Sequence, residues 1–96
     1  MKEYRVLWSP RAEETYLKIL EYILLKWSQK EAEDFEDKIN RLIDKLRFHR
    51  NLCPPSLKKK RLRKCVVTSQ TSLVYRTKKQ TIEIVAMIDN RSQHNF

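Results

Sequence analysis

Glycine is absent from this 96-residue sequence, and proline occurs three times. A chain without glycine has no residue that enters left-handed backbone at little cost, so its turns must rest on Ser, Asn, Gln or Lys. Phosphate-cradling glycine loops and the nucleophile elbow are excluded with it, and no HExxH string is present either. Only two cysteines occur, Cys53 and Cys65. They have neither CxxC spacing nor a histidine pair nearby, so no metal site, cofactor or redox motif is indicated. Both read as reduced thiols, small half-buried residues near strand starts. Long apolar runs are missing too: the longest fall far short of the roughly 20 residues that cross a bilayer. The opening Met1-Lys2-Glu3-Tyr4 lacks the apolar stretch of a signal peptide, so the chain is expected in the cytosol, with no membrane partner.

Acidic residues are scarce in one half alone. Residues 1–48 hold ten Lys/Arg and ten Asp/Glu, whereas residues 49–96 hold eleven Lys/Arg against Glu83 and Asp89, so the whole formal charge of +9 sits in the second half. A neutral scaffold joined to a basic surface points to phosphates or an acidic protein as partner. A chain of this length makes one domain, expected over residues 1–96, and buries roughly 60–68% of its unfolded surface.

Tyr4, Val6 and Trp8 alternate with Arg5 and Leu7, which predicts a strand over Glu3 to Trp8. Ser9 then suits a helix cap and Pro10 the first helical position. From Arg11 to about Trp27, Ala12, Tyr16, Ile19, Ile23 and Trp27 recur at helical spacing. Leu17, Leu20 and Leu24 flank them, a face wide enough to predict packing on two sides. Ser28-Gln29-Lys30-Glu31 reads as a capping box. A second helix follows with Ala32, Phe35, Ile39, Leu42, Ile43 and Leu46 inward, and the short link forces an antiparallel hairpin of helices. Pro54-Pro55 ends any continuation.

After the prolines the period becomes two. Leu62 to Thr68, Ser72 to Thr77 and Thr81 to Asp89 predict three strands whose links, Ser69-Gln70-Thr71 and Lys78-Lys79-Gln80, favour an antiparallel meander. In the last strand Ile82, Ile84, Ala86 and Ile88 share the face expected under the helices, with Thr81, Glu83, Val85, Met87 and Asp89 opposite. The fold class is α+β, in the order β-α-α-β-β-β, an antiparallel sheet with the helical hairpin packed on one face.

Lys58, Lys59, Lys60, Arg61, Arg63 and Lys64 put six cations into seven positions. Alternation sets Arg61 and Arg63 on one face and Leu62 with Val66 on the other, so the two arginines are expected together on the open sheet face, gripping phosphates or carboxylates. The bland reading is a solvated charge run. Arg76, Lys78 and Lys79 in the next strand and turn, with Arg91 after the last strand, favour a binding surface whose affinity falls with salt. Arg91 and His94 lie where side chains reach over a sheet face: an arginine there can stabilise a phosphorane and a histidine can exchange protons near neutral pH. His94 also reads as a plain tail residue. His49, at the end of the second helix, reads as structural.

Several strings together resemble the RelE/ParE toxin superfamily over nearly the whole chain. Val6-Leu7-Trp8-Ser9-Pro10-Arg11-Ala12 resembles its strand-to-helix entry, and Ile19 to Leu46, with Tyr22, Trp27, Ala32, Phe35 and Leu46, is similar to the ParE-type helical hairpin. Leu73-Val74-Tyr75-Arg76, Ile82 to Ile88 and Asp89-Asn90-Arg91 resemble the last hairpin and its terminal arginine. The resemblance implies a growth-inhibiting toxin neutralised by a cognate antitoxin, with one branch cutting mRNA on the ribosome and the other poisoning DNA gyrase. In the RNA-cutting branch Arg61 and Arg63 would match the basic pair and Arg91 the late arginine. Ser72 stands where that branch has an arginine before Leu-Val-Tyr, and the sequence reaches Phe96 without its late catalytic tyrosine. The hairpin therefore favours a ParE-like toxin acting by binding, with gyrase as target. The alternative is a RelE-like, metal-free endoribonuclease in which Arg61, Arg63 and Arg91 hold the phosphate and His94 assists proton transfer. A nucleic-acid-binding domain without toxicity is a third class. An acidic, partly disordered antitoxin segment would order as it binds the +9 half.

Overall fold

The computed structural model describes residues 2–91 and 96. Its elements run β1 (Arg5–Trp8), α1 (Pro10–Lys26), α2 (Gln29–Phe48), β2 (Arg63–Val66), β3 (Thr71–Lys78) and β4 (Thr81–Asp89). The α+β order is the one expected. Strands β2, β3 and β4 form the antiparallel meander, and β1 joins its far edge in parallel with β4, giving a mixed sheet of order β1-β4-β3-β2.

Each helix begins where its cap predicts. Ser9 Oγ accepts from the Ala12 N–H at 3.0 Å with Pro10 at the first position, and Ser28 Oγ accepts from the Glu31 N–H at 3.2 Å. Both bonds satisfy donors that a helix start leaves free. α2 buries Ala32, Phe35, Ile39, Ile43 and Leu46 against the sheet. α1 buries Ala12 fully and leans Tyr16, Ile19, Leu20 and Ile23 on the same core. α1 packs on two sides, against β4 and against α2, while the flanking Leu17 and Leu24 remain 63% and 51% exposed.

One inserted residue changes which side chains meet the helices. Val74 pairs with Ala86 and Tyr75 with Ile84, so Val85 is an extra residue in β4, a β-bulge. Ile82 and Ile84 point under the hairpin as expected; Ala86 and Ile88 do not. Beyond the bulge Met87 takes the helix side, while Ala86 and Ile88 join Val74 and Phe96 in a second apolar cluster on the opposite face. The bulge also frees backbone groups of β4 just where β1 ends. The start of α1 takes them: the Ser9 N–H donates to Ile84 O at 3.0 Å, Ser9 Oγ donates to Val85 O at 2.9 Å, and the Met87 N–H donates to Thr15 Oγ1 at 2.9 Å.

The cysteines are not reduced thiols but a Cys53–Cys65 disulfide, with Cα atoms 5.3 Å apart. The segment after α2 turns back along β2, where the Lys64 N–H donates to Pro54 O and the Ser56 N–H to Leu62 O. That return brings two cysteines 12 residues apart within bonding reach, which no spacing motif announces. At the β3–β4 link Lys79 takes φ 46°, the left-handed region that glycine would otherwise fill.

Candidate functional site

The lysine-rich segment is a loop on the face opposite the helices. Lys58, Lys59, Lys60 and Arg61 are exposed. Ser56 Oγ organises the loop: it accepts from the Lys58 and Lys59 N–H groups, each at 3.3 Å, and donates to Phe96 O. The Phe96 ring is buried in the second cluster with Arg11 and Lys59 over it, at 5.1 and 5.4 Å from the centroid. Two cations against one aromatic ring link the loop to the start of α1.

Arg61 and Arg63 do not stand together on the open face. Leu62 packs into the cluster on the outer face, so alternation turns Arg63 to the side of Cys65, toward the helical core. There its Nη1 donates to Cys53 O at 2.7 Å, and a guanidinium so engaged serves the loop before any ligand. Lys64 and Arg76 project from the outer face instead, since their neighbours Cys65 and Tyr75 lie in the core. Arg76 is matched across the strands by Glu83 at 2.5 Å. Lys78 and Lys79 are exposed at the tip of the same hairpin.

Arg91 embraces Asp89. Its Nε and Nη2 donate to the two carboxylate oxygens at 3.1 Å each, and its N–H donates to Oδ1 at 2.8 Å. These hydrogen bonds, then the Asp89 charge, raise the guanidinium pKa further above its ordinary value, with Tyr22 adding to the effect. Arg63 pairs with Tyr75 whereas Asp89 pairs with Thr71. Four residues of β3 separate those rungs, about 13 Å, with Arg91 further on, and each arginine is engaged by its own partner, Arg63 by Cys53 O and Arg91 by Asp89. His94 lies outside the described residues. Among the described residues no group of three or more His, Cys, Asp or Glu side chains could hold a metal ion.

Beside Arg91 opens a feature not foreseen in the sequence. A cleft of about 450 Å3 lies between the two helices and the β2–β3 turn, with Tyr22, Ile23, Trp27 and Phe35 on its apolar wall and Lys38 and Arg91 on its rim. Trp27 and Tyr22 are 68% and 47% exposed. Large aromatics at the end of a helix were the available signal; helical spacing assigned Trp27 to the core. Ser72 is fully buried and donates to Asn90 Oδ1 at 2.7 Å, tying β3 to the residue before Arg91.

A β-α-α-β-β-β chain with a helical hairpin over one sheet face and a basic loop on the other has the architecture of the RelE/ParE toxins, and three solved structures share it. A chain of the chromosomal ParDE TA system from P. aeruginosa matches with a TM-score of 0.77 at 15% identity, over 91% of this chain and 96% of that one. The YoeB/ParE toxin from Agrobacterium tumefaciens matches with 0.67 at 16%, over 90% and 98%. A chain of the YoeB–YefM complex from Staphylococcus aureus matches with 0.58 at 18%, over 88% and 94%. At these identities the likeness is one of fold. The sequence profile of the ParE toxin of type II toxin–antitoxin system, parDE, matches residues 6–94, and the chain belongs to that family. No curated protein matches it in sequence. No helix among the described residues is long and apolar enough to cross a membrane.

Proposed function

We propose that this chain inhibits growth by binding, with DNA gyrase as its target, and that a cognate antitoxin neutralises it. The observation that carries binding over RNA cleavage is the disposition of the arginines: Arg63 is bonded to Cys53 O, Arg91 is closed on Asp89, and their strand rungs lie far apart. A phosphoryl-transfer site needs charge-stabilising donors converging on one position. The surface instead offers two separate features, the cationic loop Lys58–Arg61 with Lys64 and Arg76, and the aromatic cleft at Trp27. The ParE family match supports the gyrase reading, and the ParDE and YoeB–YefM neighbours support an antitoxin partner.

The antitoxin segment is acidic and orders as it binds the basic half, so the affinity of the complex falls steeply with salt. The chain acts as one domain in the cytosol. The deciding experiment runs a gyrase supercoiling assay beside mRNA end-mapping in coupled transcription–translation, on one preparation. Blocked supercoiling with intact mRNA is expected. Codon-spaced mRNA cuts that vanish in Arg91→Ala would overturn the binding reading in favour of the endoribonuclease.

A further inference from the structure

α1 presents more apolar surface than its own chain covers. Leu17, Leu24 and Leu25 are 63%, 51% and 77% exposed, on the side of the helix turned away from the core residues Ala12, Ile19 and Ile23. At helical spacing they share one face with Glu14, Lys18 and Glu21, where positions three, four and seven apart are neighbours. The charges on that face are mixed, and residues 1–48 as a whole are neutral. The +9 of the other half decides what can sit here. An acidic partner is drawn to the basic half and has little electrostatic reason to choose α1. Two copies of the chain repel through their basic halves and meet without that cost only through the neutral one.

We infer that this face of α1 is the contact between two copies of the chain, the helices antiparallel about a two-fold axis near Glu21. A two-fold interface must be complementary to itself. In this arrangement Leu17 lies against the partner's Leu25, and each Glu21, close to the axis, has the partner's Lys18 one turn away. Among the described residues Lys18 is held by an exposed i,i+4 pair with Glu14 at 2.9 Å, which exchanges readily. The basic loop and the outer sheet face remain outward on both copies. A 17-residue helix is about 25 Å long, a contact at the small end of specific interfaces, so the dimer is in equilibrium with monomer in roughly the micromolar range. The inference does not depend on which target the toxin binds.

Sedimentation velocity over a concentration series at physiological salt tests it. The parent chain is expected to pass from monomer to dimer. Leu17→Asp and Leu25→Asp, both at exposed positions, are expected to weaken association roughly tenfold or more while circular dichroism stays unchanged. Lys18→Glu weakens it as well, and Lys18→Glu combined with Glu21→Lys restores it, a rescue that no unspecific hydrophobic contact would give. A chain that stays monomeric throughout, or a dimer indifferent to both aspartates, overturns the inference. So does a monomeric parent whose aspartate variants lose antitoxin binding, because the face would then belong to the antitoxin.

Discussion

The backbone N–H of Met87 donates to the hydroxyl of Thr15 at 2.9 Å, joining residues 72 apart in the chain. It is the bond by which α1 satisfies β4 beyond the Val85 bulge, on the edge where β1 has ended. Thr15→Val keeps the shape and removes the acceptor, leaving a part-buried N–H without its partner, and is expected to cost about 1–3 kcal/mol. Thr15→Ser is expected to recover most of it. Urea denaturation of the two variants measures the difference.

Arg76 and Glu83 form a cross-strand pair, half exposed. Glu83→Gln is expected to lower stability by no more than about 1 kcal/mol. It also removes one of the two acids of the basic half and frees the guanidinium, so the variant is expected to leave a heparin column at higher salt than the parent. Asp89→Asn, which frees Arg91, is expected to shift elution the same way. Unchanged elution in both would place neither arginine on the polyanion-binding surface.

The disulfide closes a loop that carries the lysine cluster, with 12 residues of separation between its ends. Closing a loop of that size in the unfolded chain is worth about 3 kcal/mol. Reduction is expected to lower the denaturation midpoint accordingly, and mass spectrometry after alkylation is expected to find no reactive thiol until a reductant is added. The Tyr75 hydroxyl accepts from the Cys53 N–H at 3.4 Å and donates to Arg50 O at 2.8 Å, so the loop keeps other ties after reduction.

Tyr16 lies between Trp8 and Phe35, at centroid distances of 5.1 and 6.2 Å. Burial, with a smaller push from the Glu36 charge, raises its phenol from 10.0 to about 12. A phenol that holds its proton more tightly when folded stabilises the fold fully below pH 10 and loses that contribution as pH rises from 10 to about 12. Tyr16→Phe is expected to remove that part of the alkaline destabilisation, read from denaturation midpoints across this range.

Lys79 occupies a left-handed position that costs a side-chain-bearing residue about 1–2 kcal/mol. Lys79→Gly is expected to gain up to about 1 kcal/mol once glycine's own greater freedom in the unfolded chain is deducted. A loss of stability in thermal denaturation would mean that the Lys79 side chain makes a contact worth more than the backbone cost.

Local signals gave the element order, both serine caps and the inward face of α2, because each depends on residues only a few positions apart. The signals failed wherever distant segments decide. Nothing in Ile82 to Ile88 marks Val85 as an inserted residue; the bulge exists because Ser9 and Thr15, from far earlier in the chain, satisfy the freed backbone. Arg63 turned inward because Leu62 packs on the second apolar cluster on the outer face, and the cysteines met because their loop runs back along β2. The basic loop itself was legible as composition. The partners that engage Arg63 and Arg91 were not, since those depend on strand register and on the return of the Cys53 segment.

The register of β1 sets Arg5 opposite Thr81 and Trp8 opposite Ile84. The first strand to leave the ribosome therefore has no neighbour to bond until nearly the last strand has followed it. Through most of its synthesis the nascent chain holds two helices with no sheet to cover, and pairing this remote in sequence is slow to form. A chain built this way closes its sheet only after nearly all of it has been made, so every surface that needs the finished sheet, the cleft beside Arg91 among them, forms late.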